Sequence, residues 1–409
     1  MKTQVIIVGG GPVGLMCALG LAQNGINVVV LEKDDAISYT PRAIAYAWPI
    51  FSGLEYFGVI DDMLAQGSIV DVRSWRILAS NETVAYDHSS VRELTDRPYS
   101  LTLGQDLIGK ILVQHLQKYP NASIQWGNDF QNLHQDQHSV TVETRTQSGP
   151  KQYQADWVIG CDGGRSGVRK ALGLAFQGFT WPERFVATDI HYDFAAHGWD
   201  SGYLIDPVYG GVVYHLGRED LWRVTFSEST TLPVETVSER IPHFMETILP
   251  GSKHYEMALY SAYNMHQRTA PRYRQNRVLL AGDAAHVTNP TSGFGLMGGL
   301  YDAFALIEPL AAVCKNDISD SILDDYANQR RKTYLEVISP ISAESKRLVF
   351  NCDDPERLRW DFQLLNERLE SNAAMRKFMS VPALLETPCL ISGKTLAEKL
   401  QAKKNTSQN

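Results

Sequence analysis

Cysteine is scarce. The five in 409 residues (Cys17, Cys161, Cys314, Cys352 and Cys389) are odd in number, and no two are spaced C-x-x-C. That excludes a disulfide framework and a cysteine-based zinc site, and it points to a reducing compartment, the cytoplasm. Basic charge is also in deficit: 38 Lys and Arg stand against 46 Asp and Glu, a formal charge of −8. A phosphate polyanion would be repelled by such a surface, so nucleic acid is not an expected partner. Internal repeats and long low-complexity segments are missing. A hydrophobic fraction of 44% and a charged fraction of 21% exclude disordered and collagen-like chains. At roughly 150 residues per domain the length allows two or three domains.

The stretch Val5–Ala22 carries no charged residue and imitates a signal peptide or membrane span. It contains Gly9, Gly10, Gly11, Pro12, Gly14 and Gly20, however, and its hydrophobic period changes halfway, as in a strand, a tight turn and a helix. No membrane span is expected. The polar tail Lys403–Asn409 lacks an apolar anchor and is expected to be disordered.

The first unit reads as strand Gln4–Val8, turn, helix Pro12–Asn24 and strand Asn27–Glu32. The apolar run Val5-Ile6-Ile7-Val8 suits a strand covered on both faces. Two later runs, Trp157–Cys161 and Val278–Ala281, have the same character, and each leads into a Gly/Asp turn. Strands from distant parts of the chain can join one parallel sheet. Between them, Phe185–Phe194, Gly202–Ile205, Gly211–Leu216 and Leu221–Phe226 read as antiparallel strands, with Gly217–Asp220 as a hairpin loop. This predicts a second, inserted β-sheet domain. From Ser319 onward the pattern is helical, including Ile322–Ser339 and Pro355–Leu369.

Three turns carry the chemistry. The first is Gly9-x-Gly11-x-x-Gly14, between a strand and a helix, with Glu32 ending the next strand. Glycines there let the backbone turn and approach a pyrophosphate lying on the helix N-terminus, while the acid accepts from ribose hydroxyls. An acid at this position favours FAD or NAD over NADP. The second turn is Cys161-Asp162-Gly163-Gly164-Arg165-Ser166-Gly167-Val168-Arg169. The third is Gly282-Asp283-Ala284-Ala285-His286, continuing to Pro290 and Gly293-Phe294-Gly295-Leu296-Met297. Taken singly, an Asp-Gly turn is commonplace.

In this order and spacing, the three motifs resemble the class A flavoprotein monooxygenases, the single-component aromatic hydroxylases typified by 4-hydroxybenzoate hydroxylase. The resemblance runs from residue 4 to about 340. Thr180-Trp181-Pro182-Glu183-Arg184 and His266-Gln267-Arg268 further resemble the 4-nitrophenol 4-monooxygenase branch. The resemblance implies an α/β fold: a Rossmann-like FAD-binding domain, an inserted β-sheet substrate domain and a C-terminal helical region. The corresponding spans are 1–75, 101–180 and 266–340 for the FAD domain, 76–100 and 181–265 for the substrate domain, and 341–409 for helices and tail. It also implies FAD contacts at Gly9, Gly11, Gly14, Glu32, Arg42, Gln105, Asp162, Gly163, Asp283, Pro290, Gly295, Leu296 and Met297. Phe294 stands where the family usually has glutamine, and Gly298-Gly299 where Asn-Thr is common.

The implied reaction uses FAD, O2 and NADH or NADPH to hydroxylate a small phenolic ring through a C4a-hydroperoxyflavin, in a monomer or homodimer. A helix Leu296–Val313 would point its positive end at the flavin, where reduced flavin carries negative charge. No second dinucleotide fingerprint exists, so the nicotinamide would dock transiently in the interdomain groove. On the inserted sheet, Tyr214 and His215 face opposite sides, so at most one can point at the flavin. His215 is the candidate proton acceptor, Tyr203 a candidate hydrogen-bond partner for a phenolate, and His266 a candidate pocket residue. His286 reads as structural, and Arg330-Arg331-Lys332 as a solvated helix face. Apart from Arg218 and Arg223 the sheet shows few arginines, which favours a neutral or weakly acidic phenol over a carboxylate-bearing one.

Other readings are an antibiotic-inactivating or natural-product-tailoring monooxygenase with a larger substrate, and a non-catalytic flavin-binding protein. A flavin halogenase lacks support, because no two of the eight tryptophans are spaced W-x-W.

Overall fold

The computed structural model describes residues 2–37, 44–217 and 220–407. Arg42 and Arg218 lie outside the described residues.

Strand Lys2–Val8 runs parallel to Val28–Leu31 on one side and to Gly149–Gly160 on the other, and Gly149–Gly160 pairs parallel with Val278–Leu280. Val5, Ile6 and Ile7 are fully buried, as in a strand covered on both faces. Helix Pro12–Gln23 crosses Phe294–Cys314 so closely that a Cβ on Gly20 would lie 2.3 Å from Ile307 Cδ1. Phe294–Cys314 is long and apolar enough to cross a membrane, a length that the sequence reading assigned to no segment, but 78% of its apolar window is buried inside the protein. Here it is a core helix.

The second sheet has eight strands among the described residues, in the order His286–Val287, Glu256–Thr269, Gln177–His191, Leu221–Ser229, Gly211–His215, Gly202–Ile205, Arg73–Ile77 and Thr83–Tyr86. Arg73–Ile77 therefore belongs to this sheet, although residues up to 75 were expected in the FAD domain. The reason is tertiary: Arg73–Ile77 pairs parallel with Gly202–Ile205, more than a hundred residues away. Helix Val237–Ile248 covers one face, burying Val237, Ile241, Phe244, Met245 and Ile248 at helical spacing. On the other face, Val349 and Phe350 of helix Ser339–Phe350 pack on Phe185 and Met265.

Two helical expectations change. Ile322–Ser339 is not one regular helix: Ile322–Thr333 passes through a wide π turn, Tyr334–Ile338, into Ser339–Phe350. Pro340 has no N–H to continue the regular ladder. The tail is also ordered through residue 407. Leu396–Ser407 is helical, with Lys403 Nζ donating to the Tyr56 carbonyl at 3.1 Å and Lys404 2.7 Å from Glu55. Its anchor is Leu396, 8% exposed, at the start of the helix and outside the polar window that suggested disorder.

Candidate active site

The first turn is shaped by close approach. Gly9 has φ +108°, and a Cβ there would sit 2.4 Å from the Cys161 carbonyl oxygen. A Cβ on Gly14 would sit 2.1 Å from the Gly9 carbonyl oxygen. These two positions lock strand, helix and second motif together. Gly11 differs, because a Cβ there would meet nothing within 4 Å. It caps helix Pro12–Gln23 without a side-chain partner, so the first N–H groups of the helix face open space. Glu32 is held rigidly, with Oε2 accepting from Gly10 N–H at 2.5 Å and Oε1 from Asp34 N–H at 3.0 Å. An open helix N-terminus beside a fixed carboxylate fits the pyrophosphate and ribose of FAD.

In the second turn, Asp162 braces the protein itself. Its carboxylate accepts from the Ser166 hydroxyl at 2.5 Å and from Val168 N–H at 3.0 Å, and burial pushes its pKa above the ordinary value. Gly163 adopts φ +78°. Arg169 then ties this turn to the third: its guanidinium donates to the Gly164 and Ala284 carbonyls, both at 2.8 Å.

The third turn presents Asp283 at the surface, beyond strand Val278–Leu280. Pro290 opens a short turn that ends at Gly293, and the helix begins at Phe294, two residues earlier than expected. Gly295, Leu296 and Met297 therefore stand in its first turn, where backbone N–H groups lack helical acceptors. The Met297 side chain turns into the core and accepts from Ala47 N–H at 3.5 Å. Gln105 opens helix Gln105–Leu116 and is half-buried.

Beneath this turn lies a buried charge cluster. Asp302 accepts from Gly282 N–H at 2.9 Å, contacts His286 Nε2 at 2.7 Å, and pairs with Arg330 Nε at 2.7 Å. His286 is thus structural, as expected. Arg330 is not on a solvated face: its side chain is 0% exposed, and it also donates to the Gly298 and Leu385 carbonyls. Lys332, two residues on, is 71% exposed. A charge run on a helix is solvated only where the helix faces water, and Arg330 faces inward.

The three proposed catalytic side chains are not brought together. Tyr203 lies on the sheet face toward the third motif, and its hydroxyl donates to the Thr291 carbonyl at 2.8 Å. Its strand partner is Val212, so Tyr214 shares this face and His215 points the other way. His215 instead packs against Trp222, 5.1 Å between ring centroids, on the side covered by Val237–Ile248. His266 lies at the seam with the second motif, its Nδ1 2.9 Å from Thr180 Oγ1. Burial, Arg268 and Arg165 all hold its pKa below the usual histidine value. Its neighbour Met265 is the residue packed on Phe185, so His266 is on the opposite side of its strand.

Sequence reasoning missed Arg73, Arg169 and Asp302. Asp302 had a signal, as an acid in an otherwise apolar helix stretch; Arg169 was quoted in its motif without a role. Arg73 had none, because nothing local shows which sheet its strand joins. Arg223, one of the two arginines noted, is engaged by Asp189 through two contacts of 2.6 and 2.8 Å.

Residues 2–339 match the family described as "FAD binding domain". A para-nitrophenol 4-monooxygenase from a Pseudomonas species is 39% identical over 402 residues, covering 97% of this chain and 98% of that protein. A 6-hydroxy-3-succinoylpyridine 3-monooxygenase from Pseudomonas putida is 41% identical over 353 residues, covering 86% of this chain and 90% of that protein. The crystal structure of a p-nitrophenol 4-monooxygenase from Pseudomonas putida superposes with a TM-score of 0.90 at 37% identity, covering 94% of this chain and 98% of that one. Fingerprint, fold and relatives agree: the chain belongs to the FAD-binding-domain family and is a class A FAD-dependent monooxygenase, an oxidoreductase that uses NAD(P)H and O2 to insert one oxygen atom.

Proposed function

We propose that the protein hydroxylates a small phenolic ring, of the phenol or nitrophenol type, held between the substrate sheet and the first turn of helix Phe294–Cys314. The observation that carries this reading is the Tyr203–Thr291 hydrogen bond. It fixes an aromatic sheet face directly beside the segment that leads into Gly293 and the helix N-terminus.

When bound, FAD supplies the two-electron chemistry that couples NAD(P)H oxidation to transfer of one oxygen atom from O2 to the ring. Gly9, Gly11, Gly14 and Glu32 would hold its pyrophosphate and ribose. Asp283, Pro290 and the backbone at Gly295, Leu296 and Met297 would take the rest, with Gln105 beside the flavin. Asp162 and Gly163 contribute by shaping the second turn. Arg42 completes the proposed set from outside the described residues.

Tyr203 keeps its proton, since burial and the neighbouring Tyr214 raise its pKa beyond the effect of Arg73. Its O–H is committed to Thr291, which leaves oxygen lone pairs to accept from a substrate hydroxyl and orient the ring. That interaction increases electron density on the ring, which favours attack by an electrophilic oxygen. His215 and His266, facing elsewhere, would act on the sheet and on the motif seam. The test is NAD(P)H oxidation over a panel of phenols with mass analysis of the products. Stimulated oxidation with a product one oxygen heavier supports the reading; no stimulation and no oxygen gain across the panel overturns it.

A further inference from the structure

Arg73 is a half-buried cation on the same sheet face as Tyr203. Strand Arg73–Ile77 pairs with Gly202–Ile205 so that Trp75 lies beside Tyr203, and Arg73, two residues earlier, shares the face of Trp75. Across the sheet, Arg73 is flanked by Tyr86, its cross-strand partner, and by Tyr214, whose ring centroid is 5.6 Å from the guanidinium carbon. Three tyrosines, Tyr214, Tyr86 and Tyr203, therefore surround one guanidinium. Burial works against its charge and these neighbours restore it.

What the site lacks is a counter-ion. Among the described residues no carboxylate comes within ion-pair distance of Arg73, and its Nε is buried with no hydrogen-bond partner. The two buried arginines of this sheet are matched: Arg184 lies 2.8 Å from Glu228 and Arg223 2.6 Å from Asp189. An arginine held among aromatic rings without an anion is unfavourable by itself. A ligand with two coplanar oxygens would satisfy the fork-shaped donor set that a lysine could not.

The spacing fits one ring. Two residues along a strand and one strand across put Arg73 and Tyr203 about 8 Å apart at their Cα atoms, on one face. A benzene ring substituted at opposite ends spans a gap of that order. Resting on the phenol hydroxylase reading above, in which Tyr203 takes the substrate hydroxyl, we infer that Arg73 is a specificity-determining residue. It receives a planar two-oxygen group, nitro or carboxylate, at the far end of the ring. The small number of arginines on the sheet thus does not favour a neutral substrate, because the one that matters enters from a distant strand.

The test is calorimetric titration of the FAD-loaded protein with 4-nitrophenol, 4-hydroxybenzoate, 4-cyanophenol and 4-methylphenol. The cyano compound is electron-poor like the nitro compound but has no paired oxygens. We expect the nitro or the carboxylate ligand, and the panel shows which, to bind about ten- to a hundredfold more tightly than the cyano and methyl ligands. Arg73→Met should remove most of that advantage while changing 4-methylphenol affinity by less than about threefold. Arg73→Lys, which keeps the charge but not the fork, should lose about tenfold of it. Equal affinity for all four ligands in the unaltered protein overturns the inference. So does an equal weakening of all four by Arg73→Met, or an undiminished advantage in Arg73→Lys. Discrimination in binding without oxygenated product would retain the inference and overturn the hydroxylase reading; product without discrimination would do the reverse.

Discussion

Arg330 and Asp302 form an ion pair in which both side chains are 0% exposed, with Nε 2.7 Å from Oδ1. The pair joins helix Ile322–Thr333 to helix Phe294–Cys314, and through Gly282 N–H and His286 it reaches the third motif. The cofactor turn is therefore supported from below by charge.

Removing one partner leaves the other buried and unpaired. Asp302→Ala should destabilise the protein by about 3–5 kcal/mol, measured by urea unfolding. The double change Asp302→Ala with Arg330→Met should cost less than the sum of the single changes. Additive losses would show that the two residues do not depend on each other.

The same carboxylate sets a pH dependence. Burial pushes the Asp302 pKa up, but His286 and Arg330 outweigh it and hold the carboxyl below the ordinary aspartate value. A group depressed in the folded state contributes stability above its unfolded pKa, and that contribution is lost as pH falls through the folded value. Stability should therefore decline below about pH 4. Asp302→Asn should flatten that acid limb; an unchanged slope in acid urea titrations would reject this account.

Gly11 and Gly14 should separate cofactor affinity from folding. Gly14→Ala would press a methyl group into the Gly9 carbonyl at 2.1 Å and should prevent a stable FAD-bound fold. Gly11→Ala meets nothing within 4 Å, so the FAD-free protein should melt as before. If the pyrophosphate approaches Gly11 as proposed, the variant's FAD affinity should fall by about tenfold, because the added methyl would stand in the way. Fluorescence titration with FAD, next to a thermal melt, measures both.

Arg169→Lys keeps the charge but cannot span the Gly164 and Ala284 carbonyls together. Losing one of those two bonds should destabilise the protein by about 1–2 kcal/mol, read from urea unfolding. A loss confined to catalytic rate would point instead to a direct role in the reaction.

Tyr203→Phe deletes the bond to Thr291 and should cost about 1 kcal/mol of stability. The larger effect should be on coupling: the ratio of hydroxylated product to NAD(P)H consumed should fall, with more hydrogen peroxide released. Quantifying product and peroxide in the same reaction tests this, and an unchanged ratio would remove Tyr203 from substrate alignment.

Much of the cofactor half was legible because its signals are local. The run Val5–Val8, the glycines at 9, 11 and 14, and Glu32 all lie within one strand–helix–strand unit, where hydrophobic period and turn chemistry are set by neighbours in sequence. The same holds for the Asp162-Gly163 and Gly282-Asp283 turns, which follow apolar runs. The substrate half was less legible because strand alternation shows that Tyr214 and His215 face opposite ways, but not which way is inward. That choice depended on which face helix Val237–Ile248 would cover.

Composition and local pattern by themselves determined the class of chain, the dinucleotide turn and the presence of an inserted sheet. Tertiary structure decided what distance in sequence conceals: that Arg330 is buried against Asp302, that His215 faces away from Tyr203, and that Arg73 enters the substrate sheet. Backbone geometry and periodicity act over a few residues, whereas the environment of a charge is set by whichever segments pack around it.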